Sequence, residues 1–440
     1  MINKSLALLL ALLISVISSC SFLSQKVESL VEISENKTSE PVKQNKKNLY
    51  CVDNNKVQLL LEDESTLKYY SPFIGQLFET KNYSFIQKSI MLSLIEMSRR
   101  PDEASPSARL QYFLHLKGKS YYFDFSSLKQ DESFRMPFIK GLEYLVKNFD
   151  NSKSLNSLAE SLDQIVPQAI NVSPEFESFL LQNKNELQKK DSFSQVFFKG
   201  DEVLTKHESF KRISYKKVIS LFNNDKSNQD ANFNISKNSL TDIDVGQNNL
   251  TVKCNTDINK ENSLREELLN SSLKKSHYFA IKDGENFFIA LSSELLDKSL
   301  RNIKDTYLIS SKGPIDPLPI CQFFNNDEDI VLFSTSGRNP VQHLKHLVTY
   351  DIALVSSYQS LKEILNFSRH LFLSSPDRIL YESKRGRKSQ LDFFLSMNFP
   401  IYHVDALGDI VGSATFNNQG RADRSLIIDD RSTAKLWCSP

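Results

Sequence analysis

The chain has no excess of either charge. Its 54 lysines and arginines stand against 53 aspartates and glutamates in 440 residues. A nucleic-acid binder needs a basic field to displace counterions, so that partner class is excluded. A polybasic membrane-surface protein is excluded on the same ground. The sequence also lacks the spacing and lysine of a P-loop and the GxGxxG of a dinucleotide fold. It lacks the GxSxG of a hydrolase elbow. None of its five cysteines forms a CxxC or stands at zinc spacing from a histidine, so neither a metal nor a cofactor is expected. The hydrophobic content of 40% and charged content of 24% are those of globular domains. The length allows two or three of them.

What is present begins at the N-terminus. Lys4 gives a small positive n-region, and Leu6 to Ile17 is an apolar run of secretory length. It is short for a bilayer span. The run ends in Ile17-Ser18-Ser19-Cys20, which resembles the lipobox of bacterial lipoproteins: an aliphatic residue, two small residues, then a cysteine. The resemblance covers this segment alone. It implies that residues 1–19 are removed as a signal peptide and that Cys20 is acylated and becomes the mature N-terminus. Ser21, where inner-membrane lipoproteins often carry Asp, implies the outer membrane of the cell envelope. The expected partners are the membrane, through the N-terminal lipid, and an envelope protein or glycan. Loss of the leader removes only Lys4, so the mature chain is balanced between acid and base.

Residues 20–48 hold the acylated cysteine and a polar stretch with no sustained period. Such a stretch cannot bury enough surface to offset its ordering entropy and reads as a flexible tether. With Cys20 acylated, Cys51, Cys254, Cys321 and Cys438 remain. An even number in an exported chain points to two disulfides, with three connectivities open. Cys254–Cys321 is preferred as local to one domain. Cys51–Cys438 is preferred because the ends of a folded chain tend to lie close together.

Hydrophobic periodicity divides the rest. Residues 49–222 read as a mainly helical domain with one hairpin. Apolar residues recur at helical spacing from Ser84 to Arg100, and Pro101 stops that helix. Lys117-Gly118-Lys119 lies between aromatic runs and marks a hairpin over Leu110 to Phe125. Ser173-Pro174-Glu175 opens a helix, with serine as N-cap and proline in the first turn. Residues 223–249 are rich in Asn, Asp and Ser and read as a polar linker. Residues 250–440 read as a mixed domain richer in antiparallel strands. A hairpin is expected over Tyr278 to Leu291, turning at Asp283-Gly284. A helix is expected over Glu261 to Leu273 and another over Leu361 to Leu373. Pro400 to Phe416 reads as a further hairpin. Tyr112 to Ser127 aligns without a gap on Tyr278 to Ser293, an echo that common hairpin preferences explain better than duplication.

Several constellations carry residue types suited to chemistry. His343 and His346 lie three apart on a helix, with Asp351 following, but no third ligand is marked. His403 and Asp405 alternate in a strand and share a face. Ser334 to Arg338 joins a strand to a helix N-terminus and could cradle an anion. Arg385-Gly386-Arg387-Lys388 is a short basic cluster. Each reads first as solvated surface or ordinary capping, so no catalytic residue is assigned. The fold class expected is α+β. The favoured function is a lipid-anchored binding or scaffolding protein. The alternative is an envelope hydrolase with its site in the second domain, for which Ser336 and His403 are the candidates.

Overall fold

Runs such as Tyr278-Phe279-Ala280-Ile281 and Phe287-Phe288-Ile289-Ala290-Leu291 are apolar at every position. A strand turns successive side chains to opposite faces, so such runs demand burial on both. A computed structural model shows how this is met. It describes residues 51, 56–127, 135–224, 233–237, 240–245, 250–257, 276–293, 301–303, 306–310, 317–325, 328–334, 340–349, 352–373, 377–386, 388–398, 400–418 and 421–439.

The strands of its larger sheets are β1 (Gln58–Leu61), β2 (Arg109–Leu116), β3 (Lys119–Ser127), β4 (Phe233–Lys237), β5 (Thr241–Ile243), β6 (Thr251–Cys254), β7 (Ser276–Asp283), β8 (Asn286–Ser293), β9 (Ile320–Phe324), β10 (Asp329–Ser334), β11 (His370–Leu373), β12 (Arg378–Tyr381), β13 (Ile401–His403), β14 (Ile410–Asn418), β15 (Arg421–Ile428) and β16 (Lys435–Cys438). The helices that bear on the argument are α1 (Glu64–Tyr70), α2 (Phe85–Arg99), α3 (Pro137–Phe149), α4 (Pro340–Thr349), α5 (Tyr358–Leu365) and α6 (Lys388–Ser396). The fold is α+β, as expected.

Two compact units result. The larger comprises residues 48–260, 272–365 and 408–440. In it a seven-stranded sheet runs β16-β1-β7-β8-β2-β3-β4, and a six-stranded sheet runs β15-β14-β10-β9-β6-β5. The inward faces share one core, in which Leu60, Phe113, Tyr278, Phe287 and Ile289 meet Ile320, Val331, Phe333, Val411 and Leu426. The outward face of the first sheet, with Tyr112, Phe123, Phe279 and Phe288, packs on Ile90, Leu94, Phe138 and Leu142 from α2 and α3. The outward face of the second, with Phe323, Ile330 and Leu332, packs on Leu344, Leu347, Leu361 and Leu365 from α4 and α5. Four layers follow: helices, sheet, sheet, helices. Ser84 starts α2 with a capping box, its hydroxyl accepting from Gln87 while the Gln87 side chain accepts from the Ser84 N–H.

The strands do not respect a division into residues 49–222 and 250–440. The first sheet interleaves β1, β2 and β3 with β7, β8 and β16. The stretch 223–249, expected as a linker, supplies β4 beside β3 and β5 beside β6. Both are edge strands, which present less surface to bury and can be polar. The echo between the hairpins β2–β3 and β7–β8 does not keep its faces. Tyr112 turns to the helices and Tyr278 turns between the sheets, which disfavours duplication.

The smaller unit includes residues 366–407. There β11 pairs antiparallel with β12, and β12 pairs parallel with β13. Buried Glu382 accepts from the N–H groups of Arg369 (2.8 Å) and Leu407 (2.6 Å) and ties the segment's ends together. Two expectations change here. The helix over Leu361 to Leu373 ends at Leu365, and His370–Leu373 is a strand. The hairpin over Pro400 to Phe416 does not form, because Ile401–His403 pairs within this unit while Ile410–Asn418 pairs with β10 and β15. The helix expected over Glu261 to Leu273 lies outside the described residues.

Both preferred disulfides are present. Cys254 and Cys321 are directly opposed on β6 and β9. Cys51–Cys438 fastens the start of the described chain to the edge strand β16, across a sequence separation of 387.

Candidate functional site

The first strand of the second hairpin begins at Ser276 and His277. Strand alternation sends them to opposite faces. Ser276 shares the face of Tyr278 and Ala280, between the sheets, whereas His277 shares the face of Phe279 and Ile281, towards the helices.

On the helix side a charged cluster is buried. Helix α2 delivers Glu96 and Arg99 from its last turn. The turn at Pro101 then folds Arg100, Asp102 and Glu103 back, and Glu62 follows β1. All seven side chains, His277 included, are buried. Charged groups are seldom fully buried unless paired, and here the pairing is dense. Glu96 accepts from the Tyr70 hydroxyl (2.6 Å) and from Arg99 Nη1 (2.8 Å), and lies 2.7 Å from His277 Nε2. Arg99 Nη2 also donates to Thr66 Oγ1 (2.6 Å). Arg100 grips Asp102 with two bonds of 3.0 Å, reaches Glu103 Oε2 at 2.6 Å and contacts Glu62 Oε1. His277 Nδ1 is 3.7 Å from Glu62 Oε1. Burial would raise the Glu96 carboxyl, but Arg99, His277 and Tyr70 outweigh it and pull it down to about 2. Burial, with Glu96 beside it, pushes the Tyr70 phenol well above its usual range.

Between the sheets, at the same end, Ser276 is opposed by Ser293 on β8, and Ser293 by Arg109 on β2. Arg109 Nε donates to Asp124 Oδ1 at 2.7 Å. Tyr278 and Ser432 share a hydrogen bond of 2.5 Å. Hydroxyls and the Arg109–Asp124 ion pair thus lie at this end of the inter-sheet layer.

The residues singled out from sequence do not gather here. His343 and His346 are buried in α4 on the outer side of the second sheet. Asp351 lies outside the described residues. His403 is exposed in the smaller unit, where Asp405 pairs with Lys384 at 2.6 Å. Ser334 ends β10, fully buried, while residues 335–339, Ser336 among them, lie outside the described residues. So do Cys20 and Arg387. The cluster was missed because its members are spread over more than two hundred positions. Two signals were available: a histidine inside an apolar strand, and the dense charged run Arg99 to Glu103 closing an apolar helix. Glu62, Glu103 and His277 also bring one possible ligand atom each to within 4.8 Å of one another.

By sequence, neither a protein-family model nor a curated protein matches the chain. By structure the fold is shared. A structure of LmbA superposes with a TM-score of 0.59 at 8% identity, over 90% of this chain and 99% of that one. A second LmbA structure gives 0.58 at 8% identity, over 88% and 98%. Cephalosporin acylase from Bacillus halodurans gives 0.54 at 10% identity, over 90% and 97%. At such identity the likeness is one of fold.

Proposed function

We propose that this chain is an envelope hydrolase of the acylase kind, cleaving an amide or ester bond, and that it is held to the membrane through acylated Cys20. The observation that carries the reading is the start of β7. Ser276 is a partly buried serine on the inter-sheet face at the start of that strand, in a fold shared with a cephalosporin acylase, and the strand end that bears it is fastened from behind by His277 and Glu96. Ser276 is the nucleophile in this reading. Being on the opposite face, His277 positions the strand and does not take the serine proton. The reading favours the hydrolase over the scaffold and moves the site from Ser336 and His403 to Ser276. A screen of the chain against chromogenic esters, N-acyl amino acids and β-lactam side-chain amides tests it. Turnover lost in Ser276→Ala and kept in His403→Ala supports the reading. Turnover unchanged in Ser276→Ala removes it.

One observation favours a second, binding role. In the smaller unit Phe393 is 59% exposed and Leu395 56%, on either side of buried Phe394. Apolar surface of that kind suits an envelope protein partner. Crosslinking in intact cells, with and without Phe393→Ser, tests that role.

A further inference from the structure

We infer that Glu62, Glu103 and His277 form a site for one divalent transition-metal ion, zinc or manganese, behind the start of β7. The inference does not depend on the hydrolase reading. Three buried side chains offer one nitrogen and two carboxylates within 4.8 Å of one another. Acidic groups close together are common, so the site rests on the ring nitrogen among them whose need is unmet. His277 is 1% exposed and its Nδ1 has no hydrogen-bond partner, although it points at Glu62. Glu62 Oε2 is buried without a hydrogen bond too, although Arg99 Nη2 lies 4.0 Å from it. Leaving the His277 nitrogen dry and unpaired costs free energy that a coordinated cation recovers.

The surroundings have the form that metal sites use. A metal-binding histidine donates its other ring N–H to a carboxylate, which fixes tautomer and orientation. His277 does this through Nε2, 2.7 Å from Glu96 Oε2, and Glu96 is held in turn by Tyr70 and Arg99. That tautomer leaves the Nδ1 lone pair aimed at the carboxylates. Arg100 meets one oxygen each of Glu62 and Glu103, orienting both, while Glu62 Oε2 faces Arg99 Nη2 at 4.0 Å without a hydrogen bond. The seven side chains carry four carboxylates and two guanidiniums, an acidic excess that favours a cation among them. One imidazole with two carboxylates suits zinc or manganese, whereas magnesium and calcium prefer oxygen alone. Because the ligands are buried, the ion is structural: it joins the ends of β1, α2 and β7.

The full chain, purified in detergent and stripped with EDTA, is titrated with Zn2+ and with Mn2+ by calorimetry, with metal content read by mass spectrometry after desalting. One ion per chain is expected, with a Tm that rises with metal concentration, as for any ligand that binds the folded state. Co2+ substitution and X-ray absorption on the wild-type protein should report one nitrogen and otherwise oxygen ligands. That measurement needs no variant. His277→Gln and Glu62→Gln should abolish binding, and His403→Ala should retain it. No binding by the wild-type chain overturns the inference, as does a nitrogen-rich shell or binding kept by folded His277→Gln. These readouts use no substrate, so failure here and failure of the hydrolase reading are separate results.

Discussion

His277 Nε2 and Glu96 Oε2 lie 2.7 Å apart, 181 positions distant in sequence, and join the strand that bears Ser276 to the last turn of α2. Neither group is exposed by more than 1%. Removing one partner therefore strands the other in a dry place. Glu96→Ala should lower the unfolding free energy by about 3–5 kcal/mol, the usual cost of breaking a buried pair from one side. Urea denaturation measures it. Glu96→Gln keeps the shape and should cost less.

Acid should act in two stages. Burial, with Arg424 adding to it, lowers His115 to about 4, and burial lowers His370 to about 4. The folded state holds both neutral while the unfolded state binds protons below about 6.5, so stability falls between about pH 6.5 and 4. Glu96, folded at about 2, contributes stability that is complete above its unfolded value near 4.5 and is lost as pH falls towards 2. Denaturant midpoints taken every half pH unit should show both declines. His115→Gln should flatten the upper one.

Gly412 marks the closest approach in the second sheet. A Cβ there would lie 2.0 Å from the backbone oxygen of Val331, on the neighbouring strand β10. A backbone atom cannot step aside as a side-chain tip can. Gly412→Ala should therefore destabilise by about 3 kcal/mol or more, at the upper end of overpacking effects. Thermal unfolding of the purified variant checks it.

The lipid anchor is open to a direct test. Radiolabelled palmitate should enter the wild-type chain and not Cys20→Ala, which should be left uncleaved or mislocalised. Label at the wild-type level in Cys20→Ala would remove the anchor.

Local structure was legible and long-range assembly was not. The hairpins β2–β3 and β7–β8 were visible because glycine sits at each turn, where Gly118 and Gly284 adopt φ of 75° and 60°. Helix α2 was visible because Ser84 caps it and proline ends it. Nothing local, however, says that Ile289 pairs with Phe113, which welds the two halves of the chain into one sheet. The strands at 233–237 and 241–243 were hidden by polar residues at sheet edges. Ile401–His403 was misread because it pairs with Ile379–Tyr381, inside the smaller unit, and not with the strand that follows it. Glu62, Glu96 and His277 each looked ordinary in isolation, and only the fold brings them together.

The hydrolase reading stands most directly on Ser276. The chain is treated with an active-site-directed fluorophosphonate, digested, and its adduct located by mass spectrometry. The account predicts a single modified peptide with the adduct on Ser276, blocked by prior denaturation and absent from Ser276→Ala. An adduct on Ser336 or another residue, or labelling that persists in folded Ser276→Ala, would contradict it.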